Sequence, residues 1–313
     1  MNRIERKNCE KQYIESIKEK MKLFIQKGLL KPIEEYQTIH NWVQQFSENN
    51  LVPYLLLDTL IILTKEQVEA SFRNIIEQIR TSIYVCNPTL SDDELFSLFE
   101  DHIEHSAFIS ACNPGETAGG APETLRALRK VIGEDKFNEI AVTDICKGIS
   151  DGTIRNVYVV DDFIGTGKTM CKFIKTEHLC ENCTCGKQIG KCSLYCAMKK
   201  NPNTRFTIVS VVLHQKGAEH IVDEMKGVQL MSSFNVDTSY DLLSDTCELY
   251  RDPKYIHDTV ELIERIMKEN HMDKNDYALH LPIAISDAFP NNSLEVFWWA
   301  ESPTWNPLAP RRH

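Results

Sequence analysis

The stretch that most constrains the fold is "VYVVDDFIGTGKTMCKFI", residues 157–174. An apolar run typical of a buried strand leads into Asp161 and Asp162, and a glycine-rich segment then leads into a helical pattern. This order predicts a parallel strand, a short loop at its carboxyl end and a helix that starts at the loop. Because the N-terminus of such a helix binds anions, the stretch predicts a phosphate site in an α/β sheet.

The loop shares its second half with a P-loop but cannot be one. A P-loop requires Gly-x4-Gly-Lys-Ser/Thr, and with Gly167 as the second glycine the first would fall at position 162. That position is Asp162, whose side chain would crowd the loop and whose charge would face a polyphosphate. A P-loop binds anions through inward-pointing backbone N–H groups. An aspartate in place of the first glycine is therefore incompatible with the shape of this loop and with the charge of its ligand.

The segment instead resembles the phosphoribosyl-pyrophosphate (PRPP) signature of type I phosphoribosyltransferases, above all that of their purine branch. There, an acidic pair, two apolar residues, Asp and Thr-Gly-Lys-Thr follow one another. The resemblance implies catalytic roles for Asp161 and Asp162, which would bind the ribose hydroxyls and stabilise positive charge at C1′. Mg²⁺ would bridge the ribose diol and the pyrophosphate. The residues expected to bind the 5′-phosphate are Gly165, Thr166, Gly167, Lys168 and Thr169.

One position departs from that pattern. Purine enzymes carry an acid where this chain has Gly165, and the acid assists proton transfer at the base. The glycine therefore disfavours purine salvage, whereas binding of PRPP or a nucleotide stays open because other branches also lack the acid.

The chain is also similar to a family of phosphoribosyltransferase-like proteins of biological conflict, found in bacterial anti-phage operons including some retrons. The similarity runs from "IHNWVQQFS" to the tail "FPNNSLEVFWWAESPTWNPLAPR". It implies an antiviral effector with a protein or nucleoprotein partner encoded in the same defence operon. Two functions remain open: an enzyme acting at ribose C1′, as a glycosyltransferase or nucleotide hydrolase, and a catalytically inactive nucleotide-sensing or partner-binding regulatory module.

Hydrophobic patterning divides the chain into two predicted domains. Residues 1–108 are predicted to form an all-helical lobe, in which "VPYLLLDTLIILT" is one buried helix. Residues 109–313 are predicted to form an α/β domain with a type I phosphoribosyltransferase-like parallel-sheet core. Its "LPIAISDAFPNNSLEVFWW" segment predicts two strands joined by a turn at residues 290–292. Three tryptophans are expected to pack the tail onto the core, with stacking on a base as the alternative: Trp298, Trp299 and Trp305.

The segment "HLCENCTCGKQIGKCSLYC" predicts a small Cys-rich zinc-knuckle insertion over residues 176–204. Cys-x2-Cys followed by Cys-x3-Cys suits tetrahedral, structural Zn²⁺. The predicted ligands are Cys180, Cys183, Cys192 and Cys196, with Cys185 or His178 as substitutes. Redox-sensing or ordinary thiols are the alternative. Four further cysteines are predicted to be isolated core thiols: Cys9, Cys86, Cys146 and Cys247.

One loop and one histidine give weaker signals of a site, and the composition limits the partners of the chain. The loop "SACNPGETAGG" is a candidate pyrophosphate site through Ser110, Glu116 and Thr117, with an ordinary flexible loop as the alternative. His214 at a strand end is expected to be structural. A net charge of −10 excludes a general attraction to nucleic acid or anionic membranes. Eleven cysteines and no signal-peptide or membrane-spanning pattern predict reduced thiols and a cytoplasmic location without membrane partners.

Overall fold

The computed structural model describes residues 3–29, 33, 35–46, 51–111, 120–180, 190–250, 252–272, 275–285, 288–309 and 311. Contacts divide the chain into two compact units, residues 1–65 with 237–312 and residues 66–236. These boundaries differ from the predicted division between residues 108 and 109, because residues 237–312 belong to the same unit as the N-terminal helices. The predicted domain division stays a prediction.

The regular elements are as follows, for the part of the chain that the structure describes. The helices are α1 (Arg3–Gln26), α2 (Tyr36–Gln44), α3 (Val52–Thr59), α4 (Lys65–Cys86), α5 (Asp92–Glu104), α6 (Gly120–Ile132), α7 (Ile145–Ser150), α8 (Lys168–Lys175), α9 (Leu194–Lys200), α10 (Gln215–Glu224) and α11 (Ile256–Glu269). The strands are β1 (Ile61–Leu63), β2 (Ser106–Ser110), β3 (Asn156–Ile164), β4 (His178–Leu179), β5 (Lys191–Cys192), β6 (Arg205–His214), β7 (Gln229–Val236) and β8 (Ile283–Ile285).

The first unit differs from the prediction at residue 60. Helix α3 ends at Thr59, and Leu60 turns the backbone to an extended ψ of 126°. The following residues form β1, which pairs in parallel with β8, with Ile61 opposite Ile283. The prediction of a single buried helix for this segment was therefore wrong, because its β-branched residues pair with a distant strand. The prediction of an N-terminal region made only of helices was wrong for the same reason.

The C-terminal tail belongs to the core of the first unit. The second strand predicted after the turn was wrong, since residues Glu295–Phe297 form a short 3-10 helix. Trp42 and Trp305 both donate their indole N–H to the carbonyl oxygen of Val296, at 2.8 and 3.0 Å. Trp298, Trp299 and Trp305 are all buried. The prediction that these tryptophans pack the tail onto the core is thus confirmed.

The second unit is built on a parallel sheet in the order β2-β3-β6-β7. This confirms the predicted mixed α/β class with a parallel sheet. Residues 138–140 add a short bridge on the free side of β2, where the N–H of Phe108 donates to the Asn138 oxygen at 2.9 Å. The chain then crosses to β3 on the opposite side of β2. Strand order therefore reverses between β2 and β3, which is the position where open α/β sheets bind ligands.

Helices cover both faces of this sheet. On one face, His102 of α5 contacts the Tyr158 hydroxyl at 2.7 Å. On the other face, Val157 and Val159 belong to an apolar cluster with residues of α7, α8, α9 and α10. Side chains alternate across a strand, so odd and even positions of β3 serve different layers. None of the described helices is both long and apolar enough to cross a membrane.

Candidate functional site

The acidic pair lies near the carboxyl end of the central strand β3. Its preceding residues, 157–160, are all buried. Asp161 is half-buried and lies opposite Ser210 of β6, whereas Asp162 is buried. The backbone N–H of Asp162 donates to the Asp161 carboxylate at 2.9 Å. The strand continues to Ile164 because its last residues still pair with β6, so the acids lie inside the strand rather than at its last position.

The glycine loop connects β3 to α8. Gly167 is the N-cap of α8 and has a φ of +74°, a left-handed conformation that glycine adopts without strain. Gly165 and Gly167 are buried, Thr166 is half-buried, and Lys168 and Thr169 are exposed. The N–H groups in the first turn of a helix have no acceptor within that helix. The first turn of α8 thus offers N–H groups beside the hydroxyl of Thr166 and the exposed side chains of Lys168 and Thr169, which are donors of the kind that a phosphate group requires.

The first turn of α10 packs against the backbone of this loop. A Cβ atom added to Gly217 would lie 2.3 Å from the carbonyl oxygen of Gly165, and one added to Gly167 would lie 2.8 Å from the Gly217 oxygen. These three glycines therefore pack backbone to backbone. The sequence reasoning missed Gly217, although a single glycine inside the helical pattern "QKGAEHIV" was an available signal.

His214 has a structural role at the start of α10. The residue is buried, with an exposed fraction of 1%. Its Nδ1 accepts a hydrogen bond from the N–H of Lys216 at 3.0 Å and so caps the helix. The prediction that His214 is structural is confirmed, and the capping fixes where α10 begins relative to the loop.

Two serine hydroxyls lie on the strands that flank β3. Ser110 ends β2, and the next residue, Ala111, donates its N–H to the Val160 oxygen at 3.0 Å. The Oγ atoms of Ser110 and Ser210 are buried without a hydrogen-bond partner in the described part of the chain. Ser110 was predicted; Ser210 was missed, though it is a polar residue in the middle of the apolar run "FTIVSVVLH". Glu116 and Thr117 lie outside the described residues.

The predicted zinc ligands are only partly described. Strands β4 and β5 pair in antiparallel fashion, with His178 opposite Cys192, and the Cys180 N–H donates to Gly190 at 2.9 Å. Cys180 and Cys192 are buried and Cys196 is half-buried. Burial lowers the pKa of His178, which favours the neutral imidazole. Cys183 and Cys185 lie outside the described residues, and within those residues no three His, Cys, Asp or Glu side chains are already grouped for a metal.

The other cysteines depart from the prediction in part. Cys247 is buried as predicted, but Cys9 and Cys86 are exposed, so the prediction that they are core thiols was wrong. Cys146 is not isolated, because its sulfur lies 3.1 Å from the sulfur of Cys192. Helix α7 brings it there, which spacing along the sequence could not show.

Comparison with known proteins identifies a family. The model of the PRTase-CE family matches residues 39–311, which include both predicted motifs and the tryptophan-rich tail. A search of curated proteins found no match.

Proposed function

The chain belongs to the PRTase-CE family of phosphoribosyltransferase-like conflict-system effectors, and from this premise we propose that it binds PRPP or a nucleotide with Mg²⁺ and acts at ribose C1′. One observation carries the proposal: the acid pair of β3 leads directly into a buried glycine turn that opens α8. The proposal includes a type I phosphoribosyltransferase-like core and an effector role in bacterial anti-phage defence, with a partner encoded in the same operon.

Each part of the loop has a proposed task. The carboxylates of Asp161 and Asp162 accept hydrogen bonds from the ribose 2′- and 3′-hydroxyls. Their negative charge also stabilises the positive charge that develops as the bond from C1′ to its leaving group breaks. The first-turn N–H groups of α8, with Thr166, Thr169 and the Lys168 ammonium, bind the 5′-phosphate.

The donor set also fits Mg²⁺. This ion prefers oxygen ligands and is bound in many sites by one or two carboxylates together with substrate phosphates. Asp161 is half-buried and so remains open to such a complex. When bound, the ion would supply neutralisation of the pyrophosphate charge.

Calorimetry tests the proposal directly. PRPP and nucleoside monophosphates are titrated with Mg²⁺ into the wild type and into a variant carrying Asp161→Asn and Asp162→Asn. Loss of two hydrogen bonds to charged groups should weaken binding by about 100-fold or more. Asp223→Asn, an exposed acid on α10, is the matched control and should bind like the wild type. A wild type that binds none of these ligands, or a double variant that binds equally well, overturns the proposal.

The second candidate is a catalytically inactive nucleotide-sensing or partner-binding regulatory module. Gly165 favours it, since this loop position offers no acid for proton transfer. Metabolite profiling of expressing cells separates the two functions. Depletion of PRPP or nucleotides that disappears in the double Asp variant supports the enzyme, whereas binding without depletion supports the module.

For the Cys-rich insertion we propose structural Zn²⁺ held by Cys180, Cys183, Cys192 and Cys196. The β4–β5 pair, which brings the buried Cys180 and Cys192 to one small hairpin, supports this set. Elemental analysis should give one zinc per chain, lost in the variant Cys180→Ser with Cys183→Ser and retained in Cys247→Ser. Substoichiometric zinc in the wild type would count against the site.

A further inference from the structure

Two cysteines from different connections of the second unit meet in space. Cys146 lies on α7, in the connection that enters β3, and Cys192 lies on β5, in the connection that leaves it. They are 46 positions apart in sequence, yet their sulfur atoms are 3.1 Å apart. A disulfide has an S–S length of about 2.05 Å, so the sulfurs would have to approach by about 1 Å.

The neighbouring core fixes this contact. Ile145, next to Cys146, is fully buried, and Leu194 and Ala197 of α9 each have an exposed fraction of 1%. All three belong to the apolar cluster that also contains Cys192. Close packing of these side chains holds α7 against the segment around Cys192. The sulfur–sulfur contact is therefore a property of the packed unit and not of one surface loop.

The two thiols differ in accessibility. Cys192 is 4% exposed, and its thiol donates to the carbonyl oxygen of Ser193 at 3.2 Å. Cys146 is half-buried, so it is the thiol that a small reagent in solution can reach. An accessible thiol beside a second, protected thiol is the arrangement of an attacking and a resolving cysteine.

We propose that Cys146 and Cys192 are a redox modification site that forms a reversible disulfide by exchange with a small disulfide such as oxidised glutathione. The Cys146 thiolate attacks one glutathione sulfur, breaks its S–S bond and releases one glutathione. The Cys192 thiolate then attacks the Cys146 sulfur and releases the second glutathione. Two protein thiols are oxidised, one small disulfide is reduced to two thiols, and the two thiol protons pass to the released thiolates.

The bond would connect the two crossovers on either side of β3, the strand that carries the acid pair. The disulfide itself does not depend on the proposed function. One consequence rests on the proposed zinc site: Cys192 cannot be a zinc ligand and a disulfide partner at once, so bound zinc should protect it from oxidation.

Peptide mapping of the full chain tests the proposal. Chelator-treated protein is equilibrated in glutathione buffers of increasing oxidation, alkylated, and digested with trypsin without reduction. Mass spectrometry should find peptide 137–147 joined to peptide 192–199, with fragment ions that place the bond on Cys192. Adding reduced glutathione should restore both thiols. The link should vanish in Cys192→Ser and persist in Cys196→Ser, the matched control on the same peptide.

The outcomes separate the two proposals. The disulfide proposal is overturned if Cys146 stays fully alkylated in the most oxidising buffer. It is also overturned if the link persists in Cys192→Ser. Mapping of the wild type alone decides this if a variant fails to fold. In zinc-loaded protein the yield of the link should fall at least fivefold. An unchanged yield leaves the disulfide standing and removes Cys192 from the zinc site.

Discussion

Replacing Gly217 by alanine should disturb the glycine loop without substituting any residue proposed to bind ligand. The new methyl group would lie 2.3 Å from the Gly165 oxygen and 3.1 Å from Cγ2 of Ile164. Ordinary van der Waals contact begins near 3.4 Å, so the Gly165 carbonyl or α10 must move by about 1 Å. Since the obstacle is backbone, no side-chain rotation relieves it.

Opposing terms set the size of the effect. Alanine is favoured over glycine inside a helix by up to about 1 kcal/mol. Overpacking of a tight site costs about 1–3 kcal/mol. We expect the free energy of unfolding to fall by about 1–2 kcal/mol. For a unit of the size of residues 66–236, this lowers the melting temperature by roughly 3–6 °C. The larger effect should be local, because the displaced carbonyl belongs to the loop.

Gly148→Ala is the matched control. Its methyl group would meet Cδ1 of Ile154 at the same distance of 2.3 Å, but this atom is the end of a flexible side chain. Both variants place one methyl group into a helix at equal nominal overlap. Only Gly217→Ala should affect the loop, whereas Gly148→Ala should lower stability by no more than about 1 kcal/mol.

Hydrogen exchange and calorimetry measure the two readouts. In Gly217→Ala the amides of residues 165–169 should exchange at least tenfold faster, which corresponds to about 1.4 kcal/mol of lost local stability. Affinity for PRPP with Mg²⁺ should fall by a similar factor. Loop amides that exchange as in the wild type would refute the inference that α10 holds the loop, whatever the outcome of the binding experiment.

Three further substitutions should change the stability of the fold. Burial, aided by the Arg205 charge, lowers the pKa of His102 from 6.5 to about 4. As the pH falls, the unfolded chain protonates His102 before the folded protein does. The contribution of His102 to the free energy of unfolding is therefore fully present above about pH 6.5 and is lost toward pH 4, by about 2 kcal/mol for a part-exposed ring. Urea unfolding at both pH values should show a smaller fall in His102→Gln than in His257→Gln. Ser91→Ala removes the capping box with Glu94 and should cost about 1 kcal/mol in thermal unfolding, unlike Ser97→Ala in mid-helix. Trp305→Phe removes the hydrogen bond to Val296 and should cost about 1–2 kcal/mol, measured by fluorescence-detected denaturation.

The parts of the fold that sequence predicts are those with a local cause. Strands β3 and β6 follow from their apolar β-branched runs, which only a sheet covered on both faces accommodates. The turn at Gly167 follows from a residue type that tolerates positive φ. The capped start of α5 follows from Ser91 and the acids after it. In each case the residues that produce the structure are neighbours along the chain.

The parts that sequence reasoning missed have distant causes. Residues 61–63 have the composition of a buried helix or strand alike, and the choice is made by pairing with residues 283–285. The contact of Cys146 with Cys192 depends on how α7 packs, and the role of Gly217 depends on how closely α10 approaches the loop. Spacing along the chain carries no information on such contacts.

Gly165 connects the packing of the loop to its chemistry. It is buried, and its carbonyl lies where any side chain on Gly217 would have to stand. Burying a carboxylate at such a place without a partner is costly. Burial at residue 165 therefore disfavours the acid that purine enzymes carry at this position. If the protein acts at C1′, its acceptor must lose its proton to another group or need no proton removal at all. Hydrolysis by water, or transfer to an anionic acceptor, meets that condition, whereas attack by a purine nitrogen assisted from residue 165 does not.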